Sequence, residues 1–399
     1  MNTQYKEVVA EIKEILKEGL CVGITQEGEE VFTRYAIPNE KVKLKIVKPN
    51  LRYGEIVEIL QPSPIRQEAY CKFFGECGGC DLQMLPYNEQ LNYKRKLLIE
   101  EFSRLPNFDE SFIEPVIPSP SEFHYRNSVM FRVNPKKRKI GFLKRDTNIV
   151  IDIDECKIAS EGINYALKKV KEQENFPQHV FRVRSNLAGD VVVNQIQTDH
   201  FEDRSISEEI NVDGITYTFR ISRESFFQVN SYVIPLWLKV IREVILNSKY
   251  DKSKCLDLYC GVGLISLFVS NIFGEVLGVE ISKTSVDDAM FNIQTNGVRN
   301  VKVIQSDVGK ILPSLDIPEI VIVNPSRVGI EENVVRFINQ NCLLRSNPKM
   351  VIYSSCNYET QVRDVKILYE AGYRITKVIP FDMFPQTHHI EVVAILENT

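Results

Sequence analysis

The chain has 399 residues, too many for one ordinary hydrophobic core, so two to three domains are expected. Hydrophobic residues make up 44% and charged residues 26%, which excludes a disordered chain, and no apolar run approaches the ~20 residues of a membrane span. The 49 Lys and Arg against 53 Asp and Glu leave a net charge of −4, which removes a whole-chain basic footprint but not a local basic patch. The opening stretch carries acids throughout and has no apolar segment, so no secretory leader is expected; the expected location is the cytoplasm, away from membranes. In that setting nine Cys point to metal binding or catalysis rather than to disulfides.

In chain order, residues 8–60 read as an all-β unit. Residues 31–37, 41–47 and 54–60 alternate or are dense in β-branched side chains, and Gly28, Pro38-Asn39 and Pro49-Asn50 bound them. The stretch 9–19 is ambiguous between helix and strand; a small barrel favours strand. Pro62 and Pro64 mark a linker. Residues 71–156 hold four Cys, a basic stretch and a turn-rich β region, with a helix over 89–105 and a Pro-rich exit at 115–120. Residues 180–221 read as further strands.

From about residue 230 the texture changes. A helix over 234–246 is followed by strand 254–260, helix 264–273, strand 275–281 and helix 284–297, then strands 301–307, 319–325 and 350–356. That alternation predicts an α/β unit with a parallel sheet and helices on both faces.

This unit opens on Asp257-Leu258-Tyr259-Cys260-Gly261-Val262-Gly263, a strand running through a glycine turn into a helix, where backbone can approach a ligand closely. The next strand ends in Glu280, placed to accept from ribose hydroxyls, and a further one ends in Asp307, where an adenine edge can be read. This order suits S-adenosylmethionine at least as well as a dinucleotide; Ser266 stands where the dinucleotide pattern has its third Gly. Cys356 ends its own strand, where α/β ligands sit, and Glu391 enters the apolar strand VVAIL as a desolvated carboxylate suited to a base. Cys255, Cys260 and Cys342 read as core or incidental thiols, and His388 and His389 as loop residues.

Cys71, Cys77 and Cys80 form a C-x5-C-x2-C cluster, with Cys156 as a candidate fourth ligand. Four thiolates can hold zinc or an iron–sulfur cluster. Zinc ribbons usually pair two C-x2-C knuckles, and three close Cys with one distant favours the cluster. Lys41, Lys43, Lys45, Lys48 and Arg52 gather on the N-terminal β unit, Lys136, Lys137, Arg138 and Lys139 form a second knot, and Tyr93, Lys94, Arg95 and Lys96 a basic helix turn. Their concentration before residue 150 favours phosphate contact.

Six motifs in order resemble the RNA 5-methyluridine methyltransferase family, in particular its branch with an N-terminal TRAM domain and an iron–sulfur cluster. FGECGGCDLQ is similar to the cluster motif, SFFQVN to the cofactor segment and DLYCGVG to the glycine turn. NPSRVG, YSSCN and DMFPQTHHIE are similar to the Asp-Pro-Pro-Arg, nucleophile and C-terminal motifs. The resemblance implies a Rossmann-like methyltransferase domain over 223–399, preceded by a TRAM-like, OB-like RNA-binding barrel over 1–62 and a β-rich iron–sulfur domain over 63–222. It further implies that Cys71, Cys77, Cys80 and Cys156 hold a 4Fe-4S cluster. Gln228, Tyr259, Gly261, Gly263, Glu280, Asp307 and Asn324 would bind S-adenosylmethionine, with Cys356 as nucleophile and Glu391 as base. The implied substrate is a uridine of RNA, ribosomal rather than transfer RNA, methylated at carbon 5 by a monomer with no obligate protein partner. Where the family has Asp-Pro-Pro-Arg, this chain has Asn324-Pro325-Ser326-Arg327, and the Asn keeps size and one carbonyl acceptor but loses the charge. That departure motivates two rivals, a non-catalytic RNA-binding or ribosome-assembly protein and transfer to an exocyclic amine.

Overall fold

The computed structural model describes residues 6–196, 198, 200–201, 203–342 and 348–398, with side chains for all of these except 339–342. The start of the expected first unit and the Cys342 thiol therefore lie outside the described residues. Among the described residues no helix is long and apolar enough to cross a membrane.

Strands β1 (Glu7–Ile15), β2 (Leu20–Thr25), β3 (Glu30–Arg34), β4 (Lys41–Lys48) and β5 (Tyr53–Gln61) close into a barrel in the order β1-β2-β3-β5-β4. Alternation drives this: in β4 Val42, Leu44 and Ile46 point inward while Lys41, Lys43, Lys45 and Lys48 ride outside. Each inward aliphatic contributes about 1.5–3 kcal/mol by leaving water. The ambiguous stretch is strand β1, because both its edges pair, with β2 and with β4.

Helix α1 (Tyr87–Phe102) follows the cysteine loop. Sequence reading groups it with the central unit, yet its faces pack elsewhere: Tyr93 and Leu97 complete the barrel core, and Leu98 and Phe102 enter the core of the C-terminal sheet. The basic turn read on this helix is not an RNA-facing surface. Lys94 is fully buried, donating to Asp382 at 2.6 Å and to the Phe384 carbonyl, and Arg95 donates to the Ile113 carbonyl. Lys96 pairs with Glu14 and Glu100. A spacing of one residue cannot separate cations on the solvent face from those on the core face, and that is why sequence reading grouped them.

The central unit is a sheet of β6 (Ser128–Asn134), β7 (Lys139–Leu143), β8 (Val150–Asp152), β9 (Phe181–Ser185) and β10 (Val191–Asn194), ordered β10-β9-β6-β7-β8. Helix α2 (Glu161–Glu172) covers it over a core that includes Phe131, Leu167 and Phe181. The next strands, β11 (Ser205–Val212) and β12 (Ile215–Ser222), form a hairpin whose Ile210, Phe219 and Ile221 belong instead to the core of the C-terminal unit.

That C-terminal unit comprises α3 (Ile234–Asn247), β13 (Lys254–Leu258), α4 (Leu264–Val269), β14 (Glu275–Glu280), α5 (Lys283–Thr295), β15 (Val301–Gln305), α6 (Val308–Ile311) and β16 (Ile320–Val323). It continues through α7 (Glu332–Cys342), β17 (Met350–Ser355), α8 (Tyr358–Glu370), β18 (Tyr373–Phe381) and β19 (Glu391–Asn398). Its seven strands run β15-β14-β13-β16-β17-β19-β18. Five are parallel, as the alternation predicts. The last two are not: β18 and β19 are an antiparallel pair joined by residues 382–390, and β19 inserts beside β17. Segment 113–117 extends this edge through bridges from Ile113 to Val378 and Ile117 to Phe381.

Candidate active site

The antiparallel insertion decides the site. The C-terminal end of parallel β17 and the N-terminal end of β19 fall at the same edge of the sheet. The register pairs Ser354 with Val393 and Ser355 with Val392, so one more step sets Cys356 beside Glu391. Residues far apart in sequence thereby become neighbours.

Burial pushes the half-buried Cys356 thiol up to about 11, and the Glu391 charge adds to this, while the Arg327 guanidinium opposes it. Burial likewise raises the Glu391 carboxyl to about 7, against the opposing pull of the Ser354 hydroxyl and Arg327. Near neutral pH Glu391 is thus poised between its two forms. Ser354 Oγ donates to Glu391 Oε1 at 2.6 Å and accepts from Trp237 Nε1 at 3.1 Å, a buried chain that no motif in the sequence announces.

Asn357 organises the neighbouring loop. Its Oδ1 caps α8 by accepting from the Glu359 and Thr360 N–H groups, and its Nδ2 donates to the Arg327 carbonyl at 3.0 Å. Arg327 is thereby fixed beside Cys356. Asn324 follows β16 directly, half-buried, with its N–H donating to the Leu258 carbonyl at 3.3 Å.

The glycine turn stands at the same edge. Tyr259, Gly261 and Gly263 all take positive φ (62°, 57° and 81°), which costs a tyrosine about 1–3 kcal/mol and a glycine little. A Cβ at Gly261 would meet nothing within 4 Å, so the space above the turn is open. Glu280 accepts from the Gly261 N–H at 3.1 Å and the Ser282 N–H at 2.7 Å, and Tyr259 donates to Glu331. Asp307 lies two residues past β15 and caps α6 through the Lys310 N–H. Beneath the turn Asp257 is buried and raised to about 7 by desolvation; one oxygen accepts from Ser266 and the other, Oδ1, has no protein partner. Gln228 is buried ahead of α3, its carbonyl held by Asn127 Nδ2 at 2.9 Å. Tyr259, Gly261, Gly263, Glu280, Asp307 and Asn324 therefore share the strand-end edge that also carries Cys356 and Glu391.

The four cysteines lie elsewhere. Cys71, Cys77, Cys80 and Cys156 are free thiols lining one cavity of about 250 Å³, walled also by Phe73, Phe74 and Phe142. Burial pushes Cys77 up to about 11 and raises Cys80 and Cys156, and repulsion between the thiolates adds to all three. Among the described residues no three His, Cys, Asp or Glu side chains converge on a single-ion site. Asp81 and Leu82, just past Cys80, donate their N–H groups to the Gln386 carbonyl, so the cysteine loop touches the segment that carries Glu391.

Comparison with known proteins bears on this arrangement. A family model described as tRNA (Uracil-5-)-methyltransferase matches residues 191–399. A protein of Aquifex aeolicus described as an uncharacterized RNA methyltransferase is 31% identical over 93% of this chain and 94% of its own length. A Thermotoga maritima protein of the same description is 30% identical over 96% and 98%. The structure of Pyrococcus abyssi tRNA (uracil-54, C5)-methyltransferase with S-adenosyl-L-homocysteine superposes with a TM-score of 0.74 at 25% identity, covering 97% of this chain and 99% of that one. The chain belongs to the tRNA (uracil-5-)-methyltransferase family of RNA-methylating enzymes.

Proposed function

We propose that the enzyme methylates carbon 5 of a uridine in RNA with S-adenosylmethionine, through a covalent adduct on Cys356. The observation that carries this reading is the placement of Cys356 beside the buried Glu391, one step past the β17–β19 register. Carbon 5 of uracil is too weak a nucleophile to take a methyl group unaided. The Cys356 thiolate, favoured by Arg327, adds to carbon 6, and the electrons pass to carbon 5 as an enolate. Gln228, Tyr259, Glu280 and Asp307 would hold S-adenosylmethionine by the open space at Gly261, and bound there it would supply the electrophilic methyl group. Glu391 then takes the carbon 5 proton, the carbon 6–sulfur bond breaks, and Cys356 leaves with that electron pair. Glu280 suits the ribose, since its carboxylate already spans the turn, and the unpartnered Asp257 oxygen supports a polar ligand group or water close by.

The cysteine cavity fits an iron–sulfur cluster: four thiols face one mostly apolar space in which Glu155 is the single acid, beside Arg126 and Lys157. Cys71, Cys77, Cys80 and Cys156 would hold it, with a structural or RNA-positioning role, because methyl transfer moves no electron. The barrel, with its outward Lys row on β4, serves RNA binding, and the domains follow as a barrel to 62, a central unit that ends before the β11–β12 hairpin, and a methyltransferase unit that takes in that hairpin. The target base lies in a loop, from which it can be swung out of its stack.

Large-subunit ribosomal RNA is the proposed substrate, on the strength of the cluster-type cysteine motif. A second reading, transfer RNA, is favoured by the full-length superposition on the P. abyssi tRNA enzyme. Methylation of large-subunit rRNA and tRNA transcripts side by side tests both: labelling of tRNA alone overturns the first, and binding of S-adenosylmethionine without turnover on any cellular RNA overturns catalysis itself.

A further inference from the structure

The Ser354 hydroxyl lies inside the proposed chemistry without being assigned any part in it. Three observations bear on it. Ser354 is fully buried on β17, one strand away from Glu391, and its Oγ lies 2.6 Å from Glu391 Oε1. Trp237, buried on α3, brings Nε1 to 3.1 Å from the same Oγ. The indole N–H can only donate, and a hydroxyl has a single proton. The oxygen of Ser354 is therefore the acceptor toward Trp237, and its one proton is directed at Glu391.

This one-way chain has a chemical consequence. A hydroxyl whose proton is committed to Oε1 stabilises the carboxylate and leaves Oε1 a poor place for a second proton. We infer that Ser354, oriented by Trp237, is a positioning residue that fixes the basic oxygen of Glu391 as Oε2 and stabilises its carboxylate form. The inference rests on the reading of Glu391 as the base. It goes beyond that reading in naming which oxygen works and what sets its basicity. The other groups that face Glu391 are Cys356, the neighbour on β17, and Arg327, whose positive charge acts in the same direction as the Ser354 hydroxyl. Without Ser354 burial acts on the carboxylate with only Arg327 left to oppose it.

The test follows the decay of the covalent protein–RNA adduct against pH in single-turnover experiments with full-length protein and a methylatable RNA. For the native enzyme the decay rate rises with pH through the Glu391 titration. Ser354→Ala is expected to move that midpoint upward by about one pH unit, so that adduct resolution at pH 7 slows about fivefold and recovers at higher pH. Trp237→Phe, which keeps the bulk but removes the N–H, is expected to move it the same way by a smaller amount. Ser354→Thr, which keeps the hydroxyl, is expected to restore the native midpoint. A merely structural role would lower the rate at all pH values without moving the midpoint. If the midpoints of Ser354→Ala and Trp237→Phe coincide with that of the native enzyme while Glu391→Gln stalls the adduct, the positioning role is overturned and the base survives. If Glu391→Gln resolves its adduct at the native rate, the base reading itself has failed and the inference with it.

Discussion

Asp81 accepts a hydrogen bond from the His388 N–H, and its Oδ2 lies 2.7 Å from Nδ1 of the same histidine. One residue follows Cys80; the other precedes Glu391 by three positions. The cysteine loop and the segment that carries Glu391 are thereby tied at a buried point, which Arg145 reinforces from the central unit by pairing with Asp81. Lys94 and Gln90 of α1 grip the same segment through Asp382 and Gln386.

Replacing Asp81 with Ala strands Arg145 and His388 together. The expected cost is about 1–3 kcal/mol of stability, with turnover falling further than RNA affinity because the segment bearing Glu391 loosens. Urea denaturation and single-turnover kinetics read the two effects. An unchanged unfolding midpoint would remove Asp81 from this account.

The two reacting side chains should fail at different points. Cys356→Ala forms no adduct and transfers no methyl group, because the enolate never arises. Glu391→Gln attacks and methylates, then accumulates a protein–RNA complex that survives denaturing electrophoresis and disappears on ribonuclease treatment. Full activity in Cys356→Ala would favour transfer to an exocyclic amine, which needs no thiol.

Stability should carry the mark of Glu391. Its folded value of about 7 lies above the ordinary carboxylate range, so between roughly pH 4.3 and 7 the folded state holds a proton that the unfolded chain releases. Stability contributed by the neutral form is complete below that window and declines as pH rises through it. Glu391→Gln removes the decline and should unfold later than the native protein by roughly 3 kcal/mol at pH 8, with no difference at pH 4. Asp257, also raised to about 7, keeps a similar slope in both proteins. Thermal melts across this range check the prediction; equal melting temperatures at pH 8 contradict it.

The Lys94–Asp382 pair is enclosed on all sides. Lys94→Met leaves a buried carboxylate without its cation, held by the Phe384 N–H, and is expected to cost about 3–5 kcal/mol, whereas the double variant Lys94→Met/Asp382→Asn should lose less than the single one. Chemical denaturation of the three proteins decides, and a double variant less stable than Lys94→Met refutes the pairing argument.

Anaerobic preparations are expected to be brown, with visible charge-transfer absorbance lost in Cys77→Ser and Cys80→Ser. One zinc and no iron per chain in anaerobic protein would overturn the cluster.

Much of this was legible before any coordinates. Alternation exposes the barrel strands because one face of each is dry, and the glycine turn is readable because only certain residues take its backbone angles cheaply. What stayed hidden is non-local. The strand β18 and the antiparallel entry of β19 depend on pairing partners, which no window of sequence contains. Asp288 looks like a solvated helix acid, yet it is buried and accepts from Ser222, Ser225 and Arg220, docking the β11–β12 hairpin. Lys94 looks like one cation among three until α1 is seen to be covered on two sides. Ser354 and Trp237 are more than a hundred residues apart, and neither type signals a carboxylate partner.

Because α1 lends Tyr93 and Leu97 to one core and Leu98 and Phe102 to another, those two cores cannot come apart without breaking a single helix. The barrel and the C-terminal sheet should therefore exchange their amide hydrogens as one cooperative block. The central sheet keeps its own core, and Cys156 packs against it. It is joined to that block by hydrogen bonds such as Arg145 to Asp81 and Asn127 to Gln228 rather than by a shared helix, and should open before it. Each such opening would draw Cys156 away from Cys71, Cys77 and Cys80, whose loop is tied through Asp81 to the block that stays closed.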